Sequence, residues 1–260
     1  LIIEAIILGI IEGLTEFLPV SSTGHLIIAN KFMGYEDNFA NLFSIIIQSG
    51  AIFAVLLFFK DKIFPKSLKK EDLKPIFSLW SRIVIGIIPA GVLGILYDDK
   101  IEQLLFNPTT VAIALIIGAF VIIFVESIKL KEIHHEEKEL SYLKFLIIGF
   151  FQTIAMIPGV SRSAATIIGA RLLGVDRKTS AEISFFLAIP TLLGAGLIKM
   201  IELYKYITVD QVVTILVGLL ASFISAYLVI AFFMNYIKKH DFKLFAYYRI
   251  LLGILVLLIL

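Results

Sequence analysis

Gly9-Ile-Ile-Glu-Gly-Leu-Thr-Glu-Phe-Leu-Pro-Val-Ser-Ser-Thr-Gly-His25 sets two carboxylates, a run of hydroxyls and a histidine inside an otherwise apolar stretch. A second stretch, Gly149-Phe-Phe-Gln-Thr-Ile-Ala-Met-Ile-Pro-Gly-Val-Ser-Arg-Ser-Ala-Ala-Thr166, has the same punctuation, with an arginine and no acid. What they mean depends on the medium around them. Of 260 residues, 59% are hydrophobic and 17% charged, and the mean hydropathy is +0.98, far from the balance of a water-soluble domain. The chain therefore reads as an all-α integral membrane protein. In a bilayer an ionisable side chain costs roughly 2.5–3.5 kcal/mol on insertion scales. Glu12, Glu16, His25 and Arg162 need partners, most economically one another.

Composition excludes other classes as well. The net charge is +2 and the charges gather in short loops, so no basic stripe is available for nucleic acid. Without cysteine there is neither a disulfide nor a thiolate metal site. Residues 1–18 lack the basic lead of a signal peptide and are interrupted by Glu4, Glu12 and Glu16, so they are expected to be mature structure.

A membrane-crossing helix needs about 20 apolar residues. Spans are expected at about 42–60, 79–97, 108–126, 182–200, 209–236 and 245–260. Residues 1–34 and 142–174 behave differently, each broken near its middle by Pro-Val-Ser-Ser-Thr-Gly or Pro-Gly-Val-Ser-Arg-Ser. Proline and glycine stop a helix. Two half-pieces of about 12–16 residues, rising ~1.5 Å per residue, cannot both cross a ~30 Å core. A re-entrant helical hairpin with its tip near the midplane fits each region.

The two broken regions belong to a repeat. An offset of 140 aligns Gly9 with Gly149, Glu12 with Gln152 and Val20-Ser21 with Val160-Ser161, and a slightly smaller one brings Gly86 to Gly218 and Gly118 to Gly253. Repeat 1 covers 1–130, a cytoplasmic linker 131–141 and repeat 2 142–260, each copy a hairpin followed by three spans within one membrane domain. Three spans is an odd number, so the second copy enters the membrane inverted. Loop charges agree with that. Lys60, Lys62, Lys66, Lys69, Lys70 and Lys74 mark one loop as cytoplasmic, whereas its counterpart carries only Lys205. Asp98, Asp99, Lys100 and Glu102 mark an external loop, whose counterpart holds Lys238, Lys239 and Lys243. Glu36 and Asp37 end the first hairpin outside, and Arg171, Arg177 and Lys178 end the second inside. The charged segment 126–144, with His134 and His135, reads as a solvated linker. Hairpins dipping from opposite faces bring their tips together, where broken helices offer N–H groups to an anion.

Glu12 and Glu16 are four apart and share one helix face. Two carboxylates in a low dielectric repel, so both stay charged only if a divalent cation or an arginine neutralises them. Gln152 and Met156 stand at the matching positions of the second copy, so the acid pair belongs to one repeat only. Ser21, Ser22 and Thr23 follow Pro19 at a half-helix start and suit phosphate oxygens. His25, three residues beyond Ser22, is spaced to serve as its base, although a buried histidine is also a common hydrogen-bonded core residue. Ser161, Arg162, Ser163 and Thr166 form the facing tip, where a planar fork of donors matches phosphate or carboxylate. Gln48, an amide within a span, is a supporting group or a plain interhelical hydrogen bond, and Glu182 and Ser184 stand on the same footing.

Glu12-Gly-Leu-Thr-Glu16-Phe-Leu-Pro-Val-Ser-Ser-Thr-Gly-His25 and Pro158-Gly-Val-Ser-Arg-Ser-Ala-Ala-Thr166 resemble the two signature motifs of the undecaprenyl-diphosphate phosphatase family, the bacitracin-resistance type. The resemblance covers essentially the whole chain; Ala164, where the family commonly has glycine, is a mild departure. It implies hydrolysis of a polyprenyl diphosphate to the monophosphate plus inorganic phosphate in a bacterial cytoplasmic membrane, recycling the lipid carrier of cell-wall glycan synthesis. It also implies a site open to the external side. Functional positions carry over to Glu12, Glu16, Ser22, His25, Ser161, Arg162 and Thr166. A divalent cation, Mg or Ca, is the expected cofactor, held by Glu12 and Glu16. The expected partners are the prenyl diphosphate lipid and the bilayer; whether two copies form a homodimer is left open. The rival class is an inverted-repeat transporter or lipid-phosphate flippase using the same midplane anion site. An acid pair and histidine in one repeat only favour chemistry over carriage.

Overall fold

The computed structural model describes residues 2–33, 37–203 and 208–260, with the side chains at 37, 38, 41, 98, 99, 102, 202 and 203 outside that description. The expectations placed on Glu36 and Lys205, and on the side chains of Asp37, Asp98, Asp99 and Glu102, therefore fall outside the described residues. The chain is helical: α1 (Ile2–Thr15), α2 (Ser22–Lys31), α3 (Asp37–Phe58), α4 (Lys60–Ile63), α5 (Lys70–Leu105), α6 (Pro108–Ser127), α7 (Tyr142–Ile154), α8 (Arg162–Leu172), α9 (Arg177–Leu203), α10 (Val209–Tyr236) and α11 (Lys243–Ile259).

Local chemistry sets these boundaries. Asn107 accepts the Thr110 N–H at 2.9 Å with Pro108 in the first turn, which starts α6. Thr208 and Gln211 form a capping box that starts α10. Pro19 separates α1 from α2, and Pro158-Gly159, with Gly159 at φ +94°, separates α7 from α8.

Among the described residues, four helices are long and apolar enough to cross a membrane: Lys70–Tyr97, Pro108–Ser127, Arg177–Ile201 and Val209–Tyr236. This is a multi-pass membrane protein. Of the six expected spans, the first corresponds to the shorter apolar stretch Leu42–Phe58 and the last to the 17 residues of α11. The expected loop at 97–107 is largely the continuation of α5, which runs for 36 residues through Pro75 and Pro89.

α1 packs along α10 and α7 along α5, while α3 lies against α9 and α10, and α6 against α11. Glycine permits the two hairpin contacts. A Cβ at Gly9 would lie 2.5 Å from the Gly218 carbonyl oxygen, and one at Gly149 would overlap the Gly86 carbonyl. Gly149→Ala must force α7 off α5, with an expected loss of about 1–3 kcal/mol. Gly91, on the same α5, is the control, because a methyl group there would meet nothing within 4 Å. In detergent, Gly149→Ala should unfold at lower temperature than the parent, and Gly91→Ala should not.

A cluster of phenylalanines fixes the end of α1. Phe17 is fully buried and sits edge-on to Phe185 at 5.1 Å, and Phe185 continues to Phe233 at 6.0 Å. Phe17 thereby anchors the chain beside Glu16.

The linker is exposed over most of its length and is docked at a few points. Glu126 ends α6 with its side chain 1% exposed, accepting hydrogen bonds from Arg177 at 2.6 and 2.9 Å and lying 3.6 Å from Arg171. Residues 132–135 form a strap over the α8–α9 turn: the Ile133 and His134 N–H groups donate to the Gly174 carbonyl, and Arg171 binds Glu132 at 2.7 Å. His134 pairs with Lys144, and His135 lies 3.4 Å from Asp176. Backbone groups of the strap satisfied by that turn hold it in place. No group of three or more His, Cys, Asp or Glu suited to a metal occurs among the described residues.

Candidate active site at the two hairpin tips

Both hairpins turn on a serine in the same uncommon backbone state. Ser21 has φ 72° and ψ 103°, and Ser161 has φ 75° and ψ 116°, the only positive-φ residues besides glycine among those described. Such a conformation costs on the order of 1–3 kcal/mol and persists only where its surroundings impose it. Each serine turns the chain into a short helix, and the two tips meet. The Ser163 hydroxyl donates to the Leu18 carbonyl at 2.8 Å, and Arg162 Nη2 lies 3.4 Å from Glu16 Oε1.

The charged centre is built from α1, α2 and α8. Glu16, 8% exposed, accepts the Ser22 hydroxyl at 2.6 Å through its second oxygen. Arg162 donates through Nη1 to the Ser184 carbonyl at 2.8 Å, and its guanidinium carbon lies 5.9 Å from the Phe17 ring centre. Its Nε–H is buried without a partner. Glu12 is fully buried one turn before Glu16, with the Glu16 carboxylate and the Arg162 charge close by, and no N–H or hydroxyl group donates to either of its oxygens.

The expected pairing of Ser22 with His25 is not the one formed. His25 Nδ1 lies 2.8 Å from the Ser21 carbonyl and Nε2 2.7 Å from the Tyr248 hydroxyl, with the two rings stacked at an interplanar angle of 11°. A carbonyl only accepts, so Nδ1 carries the proton and Nε2 accepts from Tyr248. Both ring nitrogens are occupied, and Ser22, at the first position of α2, reaches back to α1 instead.

The other hydroxyls divide by tip. On α8, Ser161 accepts the Ala164 N–H at 3.2 Å as a helix cap and lies 3.0 Å from Ser163, while the fully buried Thr166 donates to the Arg162 carbonyl at 2.9 Å and lies 2.8 Å from Ser184 Oγ. These groups shape the tip. On α2, Ser21 provides no side-chain cap, and the half-buried Thr23 side chain bonds to no described residue, which leaves first-turn N–H groups uncapped. Gln48 is half-buried on α3, without a hydrogen bond to the site among the described residues. Glu182 belongs elsewhere, paired with Lys62 at 2.5 Å, whereas Ser184 serves the site directly.

Two contributors escaped the reading of the sequence, Tyr248 and the fully buried Arg249. The signal was present: an arginine inside the terminal apolar stretch breaks the same insertion rule that singled out Arg162.

A hydroxyl already hydrogen-bonded to a carboxylate, a guanidinium with an unspent donor and an uncapped helix start together suit an anion with a transferable group. Fold and site thus define a multi-pass helical membrane protein with a charged, hydroxyl-bearing centre enclosed between two hairpin tips. The chain belongs to the family described as bacitracin resistance protein BacA, whose pattern matches residues 5–255. It is 46% identical to the undecaprenyl-diphosphatase 1 of Clostridioides difficile (strain 630) over 98% of this chain and 95% of that protein. It is also 43% identical to the undecaprenyl-diphosphatase of Enterococcus faecalis, over 99% and 96%. For that of Thermoanaerobacter sp. (strain X514) the identity is 46%, over 100% and 97%.

Proposed function

We propose that this protein is an undecaprenyl-diphosphate phosphatase, releasing inorganic phosphate and undecaprenyl phosphate so that the lipid carrier re-enters cell-wall glycan synthesis. The observation that carries this reading is the Ser22–Glu16–Arg162 arrangement, a hydroxyl 2.6 Å from a carboxylate that faces a guanidinium. Ser22 Oγ attacks the terminal phosphorus, its proton passes to Glu16, and the bridging P–O bond breaks to free the monophosphate. Water then cleaves the phosphoserine. Arg162 Nε and the first-turn N–H groups of α2 hold the phosphoryl oxygens as charge builds on them. His25, bonded to the Ser21 carbonyl and to Tyr248, steadies the backbone turn that precedes Ser22.

Glu12 fits a divalent cation: it is buried beside Glu16 with two oxygens to which no N–H or hydroxyl group donates, and carboxylate oxygens are the hard donors that Mg or Ca prefers. Held by Glu12 and Glu16, such an ion would supply neutralisation of the substrate's charge.

The architecture is read as an inverted pair of repeats. Supporting this, Ser21 and Ser161 share one backbone state 140 positions apart, and Gly9 against Gly218 has its counterpart in Gly149 against Gly86. The sidedness follows the basic loops. Lys62 binds Glu182 at 2.5 Å and lies 3.8 Å from Glu137, so the 60–74 loop, the linker and the start of α9 occupy one end of the molecule, assigned to the cytoplasm. An opening of the site to the external side is what the family resemblance implies.

A transporter would need the anion site but not a hydroxyl bonded to a carboxylate, and the relatives named above carry a diphosphatase name. Purified protein in detergent should release one equivalent of phosphate per undecaprenyl diphosphate and leave the monophosphate. No release with Mg or Ca present would overturn the assignment.

A further inference from the structure

We propose that Arg249 is a positioning residue that holds the two hairpin tips in register, an inference that rests on the phosphatase reading. Its guanidinium is fully buried and all its acceptors are main-chain carbonyls. Nε donates to Leu115 at 3.2 Å and Nη2 to Ala114 at 3.2 Å, both on α6. Nη2 also donates to Gly159 at 3.1 Å, and Nη1 to Pro19 at 3.4 Å. One planar group thereby grips a carbonyl from each tip.

The two gripped residues correspond. Pro19 and Gly159 are 140 positions apart, and each lies two residues before a positive-φ serine, Ser21 or Ser161. Each also lies three residues before a reacting or binding group, Ser22 on one tip and Arg162 on the other. Arg249 therefore links the backbone that sets the nucleophile to the backbone that sets its phosphate-binding partner. No acidic side chain pairs with it among the described residues, so the charge is not retained for an ion pair. Burying a cation without a carboxylate is unfavourable, and an apolar side chain would pack α11 on α6 more cheaply. What only arginine offers is a rigid fork with five donors, which can serve four carbonyls on three chain segments; lysine has three donors on one point. The space for the fork is also built in, because a side chain at Gly118 would strike Nη2.

Three variants test this: Arg249→Met, Arg249→Lys, and Gly118→Ala, which keeps the arginine but presses Nη2 away from Ala114 and Gly159. The parent must first release phosphate from undecaprenyl diphosphate; if it does not, the functional assignment fails before this inference is reached. Binding-competent sites are then counted by titration with a methylene-bisphosphonate analogue of the prenyl diphosphate, which cannot be cleaved. The expected result is analogue affinity within about threefold of the parent and kcat per competent site lower by about 100-fold in Arg249→Met, the scale of a displacement of reacting groups by an ångström. Gly118→Ala and Arg249→Lys should shift in the same direction, lysine failing to rescue although it keeps the charge. If kcat per competent site stays within threefold of the parent in the variants that bind, Arg249 is only a packing element and the inference is wrong. If analogue affinity falls in proportion to kcat/KM, Arg249 acts on the substrate and not on the tips, which also overturns it.

Discussion

Arg162→Met is expected to lower kcat/KM by about 10³-fold or more, the scale set by arginines that neutralise a transferring phosphoryl group. The same change should also destabilise the resting protein. Arg162 is the cation that faces Glu16 at 3.4 Å and that Glu12 feels, with side-chain exposures of 10% and 7% for the first pair. Removing it leaves buried carboxylates without a counter-charge, at a cost of about 3–5 kcal/mol. The two effects separate in a double variant. Adding Glu12→Gln to Arg162→Met removes one of the stranded charges, so the unfolding temperature in detergent should recover in part while phosphate release does not. If the single variant unfolds where the parent does, the carboxylates were already neutral without the arginine, and the ion pair is not what holds the tips. Lysine is a poor replacement, because one ammonium cannot donate to the Ser184 carbonyl while facing Glu16 and presenting a further donor to phosphate.

The breaks in the hairpins were legible because proline and glycine state their effect locally: Pro19 and Pro158-Gly159 interrupt apolar sequence, and helices end there. The limits of α6 and α10 were legible from apolar length, but those of α5 were not, because that helix continues into charged sequence beyond its apolar run at both ends. The polar residues of the tips could be collected by the cost of placing them in lipid. Their pairing could not. Ser22 is three residues from His25 and six from Glu16, and along a helix the nearer partner looks better. The turn at Ser21 reverses that order by swinging α2 back across the end of α1, and a positive φ at a serine has no signature in the sequence. The hydroxyls of Ser161, Ser163 and Thr166 illustrate the same limit. Their kind suits phosphate, but the fold directs them to a helix cap, to Leu18 and to Ser184. Arg249 was missed for a different reason. Its acceptors are carbonyls, which every residue has, so no complementary side chain elsewhere in the sequence marks its partner.

Glu16→Gln and Ser22→Ala together decide how the phosphoryl group is transferred. The glutamine oxygen can still accept the Ser22 hydrogen bond now seen at 2.6 Å, but it cannot take the proton. The loss in kcat is expected to be about 10²–10⁴-fold, the range for a positioned base. Ser22→Ala removes the attacking oxygen and should abolish turnover as far as the serine route carries it. A covalent intermediate gives the independent readout. Substrate labelled in its terminal phosphate, quenched in acid during turnover, should leave label on the peptide containing Ser22 in the parent and none in Ser22→Ala. If Ser22→Ala keeps a tenth or more of parental kcat and no labelled peptide forms in either protein, the attacking group is water. Glu16 would then be its base, with the serine hydroxyl reduced to a partner that aims the carboxylate. Both routes predict the loss in Glu16→Gln, so it is the alanine variant and the trapped label that separate them. The 2.6 Å bond favours the serine route because it already aligns the hydroxyl proton with its acceptor, leaving an oxygen lone pair free to face phosphorus.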